Sequence, residues 1–105
     1  MTYVFDLDNT LCTTDGQHYA SARPRMDRIA VVNRLYDEGH TIIIDSARGY
    51  VTKKPWRWMT KRQLKAWGVK YHGLHVGTKP AGDLYVDDRG ANAVLFFGQY
   101  WPCEN

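Results

Sequence analysis

Four short stretches of this chain carry side chains that could together handle a phosphoryl group: Asp6-Leu7-Asp8-Asn9-Thr10, Ser46, Lys79 and the pair Asp87-Asp88. A carboxylate such as Asp6 can attack phosphorus and form an aspartyl-phosphate, splitting one hard step into two easier ones. Asp8, two positions on, can reach the same substrate from the leaving-group side. There it would protonate the departing oxygen and then take a proton from the water that cleaves the intermediate. Ser46 and Lys79 offer a hydroxyl and a cation to phosphoryl oxygens, and charge stabilisation of that kind is most of what phosphoryl transfer requires. Thr10 counts with the phosphate-binding hydroxyls and can also hold its loop by a local hydrogen bond. Asn9 tolerates a left-handed backbone, which lets the chain fold back at this point.

Several carboxylates in one crevice repel each other and the phosphate, and a divalent cation resolves the conflict. Mg²⁺ takes octahedral oxygen ligands, commonly one or two carboxylates with substrate phosphate and waters. Asp6 and Asp87 are the natural side-chain ligands, the Asp8 carbonyl is a further donor, and Asp88 stands behind them to orient water or Lys79. Arg48 follows Ser46 so closely that it is the best candidate for a further contact to substrate phosphate. Taken singly, each feature has an ordinary reading: an Asp-rich turn, a loop hydroxyl, a solvated lysine. Together, in order along the chain and each at the end of a strand-like run, they are hard to explain as turns.

Those runs are Tyr3-Val4-Phe5, Ile42-Ile43-Ile44, Leu74-His75-Val76 and Leu84-Tyr85-Val86. In an open parallel sheet, ligands bind in the crevice beyond the carboxyl ends of the strands. Between the runs, Met26, Ile29, Val32, Leu35 and Tyr36 recur at helical spacing, with Pro24 suited to the first turn and Gly39 to the end. A second helix is predicted from Pro55, with Trp56, Met59, Gln63, Leu64 and Trp67 on one side and Gly68 closing it. Residues 93–97 read as a fifth strand, and residues 98–105 as a tail anchored by Trp101. The alternation predicts one α/β domain over residues 1–105, a small sandwich around a largely parallel sheet.

The chain has 105 residues, 44% of them hydrophobic, with four Trp and seven Tyr, which is a globular composition. It contains no apolar run long enough for a membrane span. Met1 leads straight into a strand, which leaves no room for a signal peptide and points to the cytoplasm. Cys12 and Cys103 fit no metal spacing and read as reduced thiols there, a bridge between them being the alternative. His18, His40, His72 and His75 likewise show no metal spacing and read as structural or surface groups. The net charge of +3 favours phosphate-bearing or nucleic-acid partners.

At the four motifs the chain resembles the haloacid dehalogenase-like hydrolase superfamily. Its D-x-D-x-T motif is matched by Asp6-Leu7-Asp8-Asn9-Thr10, its Ser/Thr by Ser46, its lysine by Lys79 and its acidic pair by Asp87-Asp88. Residues 39–49 and 77–88 are similar to small phosphatases of the capsule-biosynthesis and phage type. The resemblance spans residues 2 to 90 and implies a Rossmann-like three-layer sandwich, Mg²⁺ dependence and phosphomonoester hydrolysis through Asp6. Three departures stand out. Asn9 replaces the commoner glycine, which the family tolerates. Asp45 adds a carboxylate beside Ser46, expected to pair with Arg48 or to disturb a neighbour by like-charge repulsion. The family's separate cap domain is missing, leaving only residues 12–24 and 47–55 to cover the site. An open site suits a nucleic-acid end, a nucleotide or a protein, and a small phosphate ester if a second subunit supplies the lid.

Two rivals follow from the same residues. A receiver-like phospho-acceptor module shares the acidic cluster, the hydroxyl and the lysine, but in it the lysine comes last, whereas Lys79 precedes Asp87. A nucleic-acid-binding protein with a vestigial site would use Arg23, Arg25, Arg48, Lys53, Lys54 and Arg57 for the backbone, with Trp56 and Trp58 stacking on bases. The more ordinary expectation for that segment is a solvated helix face with its tryptophans turned into the core.

Overall fold

Short apolar runs rich in β-branched and aromatic residues become strands here, and the stretches with helical spacing become helices. The structure, a computed structural model, describes residues 1–48, 56–76, 84–87, 91–92 and 96–97, with 84, 85, 87, 91 and 92 described by backbone alone. The elements are β1 (Thr2–Asp6), β2 (Cys12–Thr13), a 3₁₀ turn (Tyr19–Ser21), β3 (Arg23–Pro24), α1 (Met26–Asp37), β4 (Thr41–Ser46), α2 (Arg57–Ala66), β5 (Gly73–Val76), β6 (Leu84–Asp87) and β7 (Ala91–Asn92). Lys79, Asp88, Pro55, Trp101 and Cys103, and residues 49–55 of the second covering loop, lie outside the described residues.

Five parallel strands form one sheet in the order β5-β4-β1-β6-β7. The chain steps outward from β1 through β4 to β5, then returns past β1 to build β6 and β7. The direction of winding therefore reverses between β1 and β6, and in open parallel sheets ligands sit at the carboxyl ends beside such a reversal. This is the expected Rossmann-like α/β fold.

The register decides which side chains share a face. Tyr3 pairs with Ile42, Phe5 with both Ile44 and Val86, and Ile44 with Leu74. All of these point to one side of the sheet. There they form a core with Ile29, Val32 and Leu35 of α1, Leu64 of α2, and Phe96 and Phe97. Right-handed crossovers put both helices on that same side. Ring pairs tighten the layer, with Phe5 5.7 Å from Phe96 and 6.0 Å from Phe97 between centroids. Burial of each such side chain contributes about 1.5–3 kcal/mol. On the opposite face Val4 is buried, while Ile43, Asp45 and His75 are half-buried. The third layer of the expected sandwich lies outside the described residues.

Both helices stop where glycine was expected to stop them. Gly39 (φ 96°) and Gly68 (φ 72°) take the left-handed conformation. Around each, the paired bonds of a Schellman motif form: Gly39 N–H to Tyr36 and His40 N–H to Leu35 in α1, Gly68 N–H to Lys65 and Val69 N–H to Leu64 in α2.

Two expectations are corrected. Pro24 does not open α1; it lies in β3, paired antiparallel with Cys12, and the Arg25 N–H donates to the Leu11 carbonyl at 2.8 Å. A proline is tolerated in such a short edge strand because no ladder bond needs its missing N–H. Phe96 and Phe97, expected to end a fifth strand over 93–97, are helical and buried; β7 is Ala91–Asn92, and residues 93–95 lie outside the described residues. A short apolar run fits a buried helix turn as well as a buried strand. Among the described residues no helix is long and apolar enough to cross a membrane.

A Cβ at position 39 would meet no atom within 4 Å, so the cost of Gly39→Ala is purely that of the left-handed backbone. The variant is expected to lose about 1 kcal/mol, seen as a lower urea midpoint at unchanged slope.

Candidate active site

The D-x-D segment folds back immediately after β1. Leu7 N–H continues the ladder to the Asp45 carbonyl at 3.0 Å, and the Leu7 carbonyl then accepts from the N–H groups of Thr10, Leu11 and Cys12. Such a tight reversal needs one residue in the left-handed region, and Asn9 occupies it with φ 63°. The Asn9 side chain also works, since its Oδ1 accepts the Thr14 N–H at 3.0 Å. From α1, Arg28 reaches in to donate to the Thr10 carbonyl at 3.0 Å, with its guanidinium 5.0 Å from the Phe97 ring centroid. Burial pushes the Arg28 guanidinium below its ordinary value, and nearby Arg25 adds to that effect.

Asp8 is held by one dominant partner. Arg48 Nε donates to both Asp8 oxygens (3.2 and 3.0 Å) and Nη2 to Oδ1 at 2.8 Å. The Thr14 hydroxyl donates to the same Oδ1 at 2.7 Å, and the Cys12 thiol approaches it at 3.7 Å. Oδ1 is thus crowded with donors. Oδ2, among the described residues, receives Arg48 Nε alone, so it is the oxygen better placed to exchange a proton. The Arg48 side chain is 0% exposed and that of Asp8 20%.

A buried guanidinium is costly unless all its donors are used. Arg48 Nη1 donates to Thr60 Oγ1 at 3.1 Å and to Gln63 Oε1, both on α2, and the cation lies 4.8 Å from the Tyr19 ring centroid. Gln63 Nε2 in turn donates to the Tyr19 carbonyl at 2.6 Å, and Trp56 meets the Tyr19 ring edge-on at 5.0 Å. The β2–β3 pair and the 3₁₀ turn therefore form a flap clasped to α2 over the Arg48–Asp8 pair. Residues 12–24 do cover this part of the site, as a built element.

The sequence-predicted residues fall as follows. Asp6 ends β1 beside Asp45 of β4. One step past the last β1–β6 pair, Phe5↔Val86, position 87 stands next to position 6 on the other flank. The reversal point thus carries three aspartates at one level of adjacent strands. Ser46 is buried, and its hydroxyl accepts the Arg48 N–H at 3.2 Å, fixing the turn that sends Arg48 to Asp8. Thr10 is buried within the folded-back loop. Arg48, expected to reach for substrate phosphate or to pair with Asp45, instead directs its guanidinium to Asp8 and α2. Lys79, Asp88 and the Asp87 side chain lie outside the described residues.

The donor chemistry suits a hard cation. Among the described residues no three His, Cys, Asp or Glu side chains form a metal-holding group. The residue types at the aligned positions 6 and 87 are aspartates, and carboxylate oxygen is the donor type that Mg²⁺ takes. The Asp8 carboxylate is turned to Arg48, so any contribution of that residue to a cation would come through its carbonyl.

Thr14, Cys12, Tyr19, Thr60 and Gln63 were not foreseen. One signal for them existed: Gln63 sits on the otherwise apolar side of α2, and a polar group there needs a buried partner. His72 and His40 have structural roles, His72 Nδ1 accepting the Ile42 N–H at 3.0 Å and His40 meeting Tyr3 edge-on. Trp58 is not turned into the core; it is 73% exposed.

No protein-family model matches the chain, and no curated protein matches it. Solved structures do. The crystal structure of a target protein from Vibrio cholerae matches over 100% of both chains with a TM-score of 0.73 at 24% identity. A chain in the structure of the Pnkp1/Rnl/Hen1 complex matches with a TM-score of 0.61 at 21% identity, over 71% of this chain and 27% of that one. At these identities the likeness is one of fold.

Arg48→Ala is expected to destabilise the protein by about 3 kcal/mol in urea unfolding, because it strips the half-buried Asp8 carboxylate and the Thr60 and Gln63 oxygens of their donor. A double-mutant cycle with Asp8→Asn should return a coupling above about 1 kcal/mol. Burial raises the Cys12 thiol above its ordinary value of 9.0; the Asp8 charge adds to this, and the hydrogen bond with Thr14 opposes it. In a Cys103→Ser background Cys12 should therefore stay protonated and label slowly at pH 7–8, speeding up only above pH 9 or on unfolding.

Proposed function

We propose that this protein is a Mg²⁺-dependent phosphomonoester hydrolase of the haloacid dehalogenase-like type, acting through an aspartyl-phosphate on Asp6. The observation that carries the reading is the placement of Asp6 at the winding reversal beside the Asp87 position, with Asp8 two residues on and locked by Arg48. The match of all four motifs in order supports it.

In this reading an Asp6 oxygen attacks phosphorus as the ester P–O bond breaks, and Asp8 gives the leaving oxygen its proton. Water then attacks phosphorus of the aspartyl-phosphate, losing a proton to Asp8 Oδ2, and phosphate leaves with Asp6 restored. Arg48 and Thr14 hold Asp8 in one orientation through both proton transfers, since their donors crowd Oδ1 and leave Oδ2 with Arg48 Nε alone among the described residues. Asp6 and Asp87 would hold the cation, with Asp88 behind them; bound there, Mg²⁺ neutralises charge on the transferring oxygens. Ser46 and Lys79 are assigned to the phosphoryl oxygens, and Thr10 to the loop between the two acids. The substrate assigned is a phosphomonoester at a nucleotide or nucleic-acid end, on the strength of the net charge of +3. The reading places the protein in the cytoplasm, where a buried thiol such as Cys12 stays reduced.

The test is hydrolysis of an aryl phosphate with saturating Mg²⁺. Wild type should turn over and lose activity in excess chelator, and Asp6→Asn should be slower by at least about a thousandfold. Equal rates for the two proteins would end the proposal. Phosphorylation that stops at one phosphate per chain would instead favour the receiver-like module.

A further inference from the structure

The outer side of α2 sets an exposed indole among cations. Trp58, Lys61, Arg62 and Lys65 fall at helical spacing on one stripe, opposite the buried Thr60 and Leu64. All four are exposed, Trp58 to 73%. With Val69 and Tyr71 they line a groove of about 850 Å³. None of the three cations has a carboxylate partner among the described residues. The sequence explains why: residues 46–82 hold nine of the 14 lysines and arginines and none of the 11 acids. Neutralising partners are therefore absent along the chain on either side of the helix.

We propose that this groove binds single-stranded nucleic acid, with Trp58 stacking on a base and Lys61, Arg62 and Lys65 holding the phosphates. An exposed indole beside unpaired cations matches both halves of a nucleotide, the flat base and the anionic backbone. From Trp58 to Lys65 the stripe runs about 10 Å along the helix, room for on the order of three phosphates of a stacked strand. Unpaired bases are required, because a duplex hides the faces that Trp58 would cover. The position of the groove also fits. Trp58 is in the first turn of α2, the same turn whose inner side carries Thr60 to Arg48 and so to Asp8. A strand lying along α2 has its end directed toward the carboxylates. That last step rests on the hydrolase reading above; binding itself does not.

The experiment is fluorescence anisotropy with a labelled single-stranded oligonucleotide that lacks terminal phosphates, in chelator, so that no hydrolysis enters. Wild type should bind, with log Kd rising against log salt at a slope of about 2, as three phosphate contacts require. Trp58→Ala should weaken binding about tenfold and Trp58→Phe far less. The triple variant K61E/R62E/K65E should bind too weakly to measure. All of these should keep the wild-type circular dichroism and aryl-phosphate turnover, since none touches the site. The proposal falls if wild type fails to bind at 50 mM salt, if the variants bind as wild type does, or if a duplex or vesicles of anionic phospholipid bind equally well. Binding as described by a protein with no aryl-phosphate turnover would sustain this surface and remove the hydrolase reading.

Discussion

The ion pair between Arg48 and Asp8 is the constraint around which this end of the molecule is built. Withdrawing a guanidinium and a carboxylate from water costs several kcal/mol per ion, and their attraction offsets this only if every remaining donor and lone pair finds a partner. The requirement recruits distant parts of the chain. Ser46 fixes the turn that aims Arg48, Thr60 and Gln63 take its third nitrogen, Thr14 completes Asp8, and the Tyr19 ring closes over the cation. The flap and α2 are thereby tied to the segment that follows β1. Loss of any one of these contacts exposes the others to an uncompensated charge, so the group behaves as a unit rather than as separate bonds.

The sheet supplies a second, independent constraint. Parallel register aligns equivalent positions of adjacent strands, and the chain places aspartate at that level on β1 and β4, with Asp87 next in line on β6. Like charges so arranged destabilise one another unless something positive or hydrogen-bonded intervenes. The loop after β1 carries a local cost of its own. A non-glycine residue in the left-handed region and a carbonyl shared by three amides are accepted to return the chain toward β1 within a few residues.

Helix α2 joins the two ends of this picture. Its buried contacts are few and largely polar: Leu64 enters the core, while Thr60 and Gln63 serve Arg48 and Arg57 donates to the Leu74 carbonyl at 2.9 Å. A helix held this way tolerates a strongly cationic outer face, because its attachment does not depend on a wide apolar stripe. The same turn presents a hydroxyl inward to the ion pair and an indole outward to solvent. One short helix therefore stands between the outer groove and the ion pair.

Much was legible in the residues themselves. The four strand-like runs ending near chemistry-bearing side chains, the glycine stops at 39 and 68, and the left-handed turn at Asn9 all follow from local rules: side-chain alternation, helical spacing and the steric cost of positive φ. Those rules act between near neighbours, so the sequence alone settles them. What it left open were choices between distant partners. Whether Arg48 meets Asp45, Asp8 or solvent depends on where α2 and the flap arrive, and whether Pro24 begins a helix depends on Cys12 lying alongside. Whether Trp58 is core or surface depends on which side of α2 faces the sheet. Phe96 shows the limit plainly, since an apolar run is compatible with either backbone until packing against Tyr3 and Phe5 selects one. The periodicity of each element is a property of the chain; the partner of each buried charge is a property of the packed structure, where desolvation makes only the fully satisfied arrangement affordable.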